Sequence, residues 1–135
     1  MKYVLILILF SYSFAFDDQV LDQTFSFIFE TDSIIIGQDS IGLFEGKLYN
    51  NSINDISIGV VRTINFTSED WNSSICIDAV CYNEYVDSIA VLIAAGDSTI
   101  CGVFASTNGV GSDEIQLKLF ELSDLSNSVL VDINF

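Results

Sequence analysis

The sequence predicts an all-β protein, a sandwich of two antiparallel sheets with seven to eight strands. Three observations predict it. First, apolar residues recur at every second position from Asp87 onward. Ile89, Val91 and Ile93 share one face, as do Ile115, Leu117 and Leu119, and then Val129, Val131, Ile133 and Phe135. A pleated strand with one buried face needs that period of two. Second, short Gly/Asn/Asp/Ser stretches separate the runs, and those residues are the chemistry of turns. Third, no segment beyond residue 15 sustains apolar spacing at i, i+3, i+4 and i+7. Ala is sparse while Ile, Val, Phe, Thr and Ser abound, a palette that suits strands.

Residues 1–15 read as a secretory leader. Lys2 supplies the positive start, Tyr3 to Phe10 is almost wholly apolar, and Ser13-Phe14-Ala15 offers small residues at a cleavage site after Ala15. The apolar run is about 14 residues, short of the roughly 20 a membrane span needs. Residues 16–135 then form one domain of about 120 residues, enough for a core of its own. Within it a first strand is expected at 23–30, with Phe25, Phe27 and Phe29 on one face. A second is expected at 32–37, a third at 42–49 and a fourth at 56–66, with a turn at Asn50–Asp55. Residues 67–86 read as irregular, with a short helical turn at Thr67–Asp70. Strands at 87–95, 99–106 and 114–121 follow. The turn Ala95-Gly96-Asp97-Ser98 uses Gly for a positive φ. Ser123 to Asn127 reads as a loop before the last strand. The short connections favour antiparallel neighbours. Proline is absent, so edge protection falls to charge and bulges.

The net charge of −15 bounds the partners. After loss of the leader the side-chain cations are Lys47, Arg62 and Lys118. Such a surface repels phosphate backbones and anionic lipid, which argues against nucleic acid and membrane-surface binding. No further run is long and apolar enough to span a membrane. The acids are scattered and half the residues are hydrophobic, which argues for folding rather than disorder. Secretion permits a disulfide among Cys76, Cys81 and Cys101. Cys76–Cys81 would close a small loop, and Cys81–Cys101 is the rival pairing. Cys101 sits in the apolar run Ile100-Cys101-Gly102-Val103-Phe104 and reads as a small hydrophobe.

Residues 43–135 resemble small secreted bacterial domains of the immunoglobulin-like sandwich class. The resemblance is carried by Gly46-Lys47-Leu48-Tyr49-Asn50-Asn51-Ser52 and then Trp71-x4-Cys76-x4-Cys81-Tyr82. Asp87-Ser88-Ile89, the Gly96-Asp97-Ser98 turn, and Gly109-x-Gly111 before Ile115-Gln116-Leu117 complete it. It implies an extracellular scaffold or adhesion module and carries over no active site. A proline often precedes the residue matching Gly96 in such domains, and here it is missing.

The chain has no His. That removes Ser-His-Asp and Cys-His nucleophilic arrangements and the ligand set of blue copper. No catalytic residue, cofactor or metal site is assigned. Calcium remains conceivable at loop oxygens of Asn50, Asn54, Asp55, Asp113 and Asp124, although no Asp-x-Asp-x-Asp-Gly spacing occurs. Glu69 and Asp70 beside Trp71 could serve a small carboxylate-using enzyme or a carbohydrate binder. Sequons at Asn50, Asn65 and Asn72 would be surface sites in a glycosylating host. The expectation is a secreted or cell-surface, non-catalytic module whose partner is an extracellular protein or glycan. Trp71, Glu69, Asp70 and Tyr82 are the candidate binding residues, in the 67–86 section. The alternative is a structural subunit of a surface assembly, which an unpaired apolar edge at 23–36 would favour.

Overall fold

The computed structural model describes residues 23–135; the expected leader lies outside them. Nine strands and no helix occur among the described residues: β1 (Phe25–Phe29), β2 (Ile41–Asn50), β3 (Ile56–Phe66), β4 (Asn72–Ile77), β5 (Val80–Cys81), β6 (Ser88–Ile93), β7 (Ser98–Ser106), β8 (Glu114–Glu121) and β9 (Asp124–Asn134). The first sheet runs β1-β2-β7-β4-β5 and the second β6-β3-β8-β9. Every strand pairing is antiparallel.

Alternation builds the core as the sequence predicts. β2 buries Phe44 and Leu48 and exposes Leu43, Glu45 and Lys47. Ile115, Leu117 and Leu119 of β8 are buried, and so are Val131 and Ile133 of β9. Phe25, Phe44, Leu48, Ile75 and Val103 of the first sheet meet Ile58, Val60, Leu117 and Ile133 of the second. Each such side chain is worth about 2–3 kcal/mol over exposure. Cys101 belongs to this core as a free thiol, and burial pushes it up to about 12. Gly96 has φ +70 in the turn before β7, the role expected of it.

Three expectations change. Residues 32–37 form no strand. Their alternation is real, with Ile34 and Ile36 half-buried around a fully exposed Ile35. However, the chain here crosses from the first sheet to the second and finds a single parallel bridge, Ser33 to Asn134. Residues 67–86 are irregular only in part. They contain the β4–β5 hairpin, in which Ser73, Ile75 and Ile77 face one way and Cys76 the other. Thr67–Asp70 closes one turn through Trp71 N–H to Ser68 O at 3.0 Å, with no helix. The loop at Ser123–Asn127 shrinks, because β9 starts at Asp124 after a bulge at Phe120/Glu121.

Candidate functional site

Two surfaces carry side chains in unusual settings. The first lies at the end of the sandwich where β3, β4 and the 78–87 loop meet. Inward alternation along β3 carries Ile56, Ile58 and Val60 into the core, and then Arg62. Its side chain is 1% exposed. Nε and Nη2 donate to Asp87 Oδ1 at 2.8 and 2.6 Å. Nη1 donates to Ser73 O and Oγ at 2.8 and 2.7 Å, and Nη2 to Glu84 O at 2.6 Å. A buried cation is tolerated only with its donors met. Arg62 therefore ties the 84–87 segment to β3 and β4.

Above that knot lies a cleft of about 360 Å³ bordered by Asn65, Asp70, Trp71, Asn72, Glu84 and Tyr85. Of the sequence-predicted residues, Trp71 and Asp70 line it. Glu69 is exposed nearby in sequence but is not part of the wall, and neither is Tyr82, which is 38% exposed. Trp71 is buried, and the space beside its ring is held by Gly111, where a side chain would strike the ring and Ser68. Tyr85, 83% exposed, is the aromatic at the mouth, and Glu84 beside it raises its hydroxyl above the ordinary value. Sequence reasoning missed Glu84 and Tyr85. Their signal was the Arg62 knot, which no local pattern reveals.

Behind Trp71, two buried polar atoms have no hydrogen-bond partner among the described residues: Trp71 Nε1 and Asp113 Oδ2. Asp113 Oδ1 accepts from Ser68 N–H at 3.3 Å. Desolvation pushes the Asp113 carboxyl up to about 6. The Cys76–Cys81 disulfide is formed, with Cα atoms 4.0 Å apart across the β4–β5 pair.

The sequons divide. Asn50 is buried, and its amide donates to Asn54 O, Ile93 O and Ala94 O at 2.7, 3.0 and 3.0 Å. The expected surface position at Asn50 is thus corrected: this side chain staples the β2–β3 turn to the end of β6. Asn65 and Asn72 are exposed. No group of three or more metal-ligating side chains gathers among the described residues. Asp55 accepts from Ala95 N–H, and Asp124 from Ser126, as turn residues do.

The second surface is the outer face and edge of the first sheet. Ile28, Ile41, Leu43 and Ile100 point outward there and are 41% to 62% exposed. β1 is the edge strand. It reads Phe-Ser-Phe-Ile-Phe, with no charge or proline to discourage pairing. A cleft of about 680 Å³ opens where β1 ends, lined by Ile28, Phe29, Ile34, Leu43 and Phe44.

A four-strand face β6-β3-β8-β9 packed on β1-β2-β7-β4-β5 defines an immunoglobulin-like β-sandwich. Among solved structures, the chain is similar to the N-terminal domain of PorA, with a TM-score of 0.60 at 16% identity over 82% of this chain and 95% of that one. It is also similar to the ASH/PapD-like domain 7 of human CEP192, with a TM-score of 0.50 at 10% identity over 99% of this chain and 93% of that one. Identities this low speak to fold alone. No family model matches the chain, and no curated protein does. No helix among the described residues is long and apolar enough to cross a membrane.

Proposed function

We propose that this chain is a secreted, non-catalytic binding module that engages a polypeptide partner at the cell surface through the edge and outer face of its first sheet. The observation that carries the reading is the uncharged edge strand β1 beside an apolar outer face. Edges of that kind take up additional strands. The disulfide supports an oxidising compartment, and the leader-like start of the sequence agrees with export. The absence of His from the chain removes the imidazole-based nucleophilic arrangements and so supports the non-catalytic reading against that class. The burial of Trp71 weakens the carbohydrate-binding alternative raised for it with Glu69 and Asp70.

The test uses the two lysines of residues 16–135. Lys47 lies on the first sheet and Lys118 on the second. Amine-reactive cross-linking on intact secreting cells should join Lys47, and not Lys118, to another polypeptide. Cross-links through Lys118 alone would reject the reading. A glycan in the smaller cleft is the second reading, favoured by exposed Tyr85 among amide and carboxylate side chains. Glycan capture lost in Tyr85→Ala would support it.

A further inference from the structure

The edge of the first sheet is not uniform, and the direction of the backbone groups along β2 shows where it is open. Asn50 N–H donates toward β7, to Asp97 O at 2.9 Å, whereas Asn51 N–H donates toward β1, to Thr24 O at 2.8 Å. In an antiparallel sheet, successive residues turn both their N–H and C=O to opposite sides. Even-numbered residues of β2 therefore serve β7, and odd-numbered ones serve β1. The β1 ladder reaches only as far as Gly46, opposite Phe29. β2 continues five positions further, to Ile41, still paired with β7 on its other side. Ile41 and Leu43 thus turn their backbone groups to a side where β1 has already left. Among the described residues, neither has a backbone partner there.

The departure of β1 is enforced. Beyond Glu30 the chain is captured by the second sheet, with Asn134 N–H donating to Asp32 O and Ile34 N–H to Asn134 O, both at 2.8 Å. Ile36 then lies under β2 against Gly42, beside Phe135. At Leu43 the gap opens into the 680 Å³ cleft, whose apolar wall includes Ile34, Leu43, Phe44 and Ile100, while Ile41 continues the open edge outside that wall. Glu30 and Glu45 stand at its rim. Lys47 also lines the cleft, one cation against these two carboxylates, with its Nζ over the Tyr49 ring, 5.0 Å from the centroid.

We infer that this gap is a strand-accepting slot, in line with β1, whose occupant is an extended segment of another polypeptide, apolar at alternate positions and free of acidic side chains. The inference deepens the binding-module reading and rests on it. Open N–H and C=O groups at Ile41 and Leu43 require an extended backbone. The cleft wall requires an apolar side chain at every second position. Charge decides against acidic occupants: the chain carries −15 overall and presents Glu30 and Glu45 at the rim. The same charge repels a second copy of this chain.

The experiment titrates the secreted, isotope-labelled protein with a capped peptide of about ten residues alternating valine and lysine, observed by amide NMR. A matched peptide carries glutamate in place of lysine, and another carries a central proline. The expected result is saturable shifts and exchange protection at the Ile41 and Leu43 amides, with about tenfold weaker binding for the glutamate peptide and none for the proline peptide. Leu43→Lys, at an exposed position, should weaken binding about tenfold while leaving the spectrum of the core intact; Ile41→Lys is the second variant. Shifts confined to Phe25–Phe29 would overturn the slot and leave the edge reading standing. Shifts confined to the Tyr85 cleft, no shifts at all, or a concentration-dependent dimer occupying the slot would each overturn the inference. The Lys47 cross-linking result judges the module reading separately.

Discussion

Polar side chains pair across the outer face of the second sheet, which also exposes Leu92 and Leu130, whereas the exposed apolar side chains of the first gather beside an open edge and a cleft. On the second, Gln116 donates to Asp132 at 2.7 Å and receives Thr63 Oγ1 at 2.7 Å, with Glu114 and Lys118 beside them on β8. On the first, Ile28, Ile41, Leu43 and Ile100 stand outward. The edges differ in the same sense. The end of β9 is covered by residues 32–34, while β1 is an uncharged edge. The inner faces of both sheets are explained by burial alone. The open backbone and the cleft at the edge of the first sheet have no such explanation and set that side of the molecule apart.

Removing Arg62 gives the largest expected effect. Arg62→Ala leaves Asp87, Ser73 and the Glu84 carbonyl without their donor and should cost about 3–5 kcal/mol in chemical denaturation. Leu117→Ala should cost about 3 kcal/mol through its cavity, whereas Leu43→Ala on the outer face should stay within about 0.5 kcal/mol. Equal losses at these two leucines would erase the distinction between inner and outer faces. Replacing both Cys76 and Cys81 by alanine should cost about 2 kcal/mol, the value for so short a loop, measured by thermal melting.

Asp113 gives a smaller, pH-dependent effect. Its carboxyl is raised from 3.8 to about 6 in the fold. The fold therefore favours the protonated acid, and its contribution is complete below about pH 4 and lost as pH rises through about 6. Asp113→Asn should flatten the stability profile across that window and stabilise the protein at pH 7 by about 1–2 kcal/mol after screening. A steeper profile in the variant would contradict the assignment.

The strands most legible in the sequence are those whose alternation and partners both lie in plain runs, such as Ile115 to Leu119 with Val129 to Phe135. The segment Ile34 to Ile36 has the alternation without the partner, because pairing is decided by where the chain must cross. The β4–β5 hairpin was obscured by Ser73 and Cys76, which interrupt the apolar signal, although Cys76 and Cys81 sit directly opposite each other. The site was less legible than the fold. Trp71 and Asp70 do meet at a cleft, but Glu84 and Tyr85 reach it only through the Arg62 knot, a contact between residues 62 and 87 that spacing does not reveal. The open backbone at Ile41 and Leu43 depends on where β1 stops, which is a fact of tertiary structure.

The most direct measurement is hydrogen exchange by mass spectrometry on the protein in whole extract of its source cells, compared with the purified protein. Protection should rise over Phe25–Phe29 and Ile41–Glu45 while β8 and β9 stay unchanged. Protection gained only around residues 65–85, or equally on both sheets, would contradict an engaged first-sheet edge.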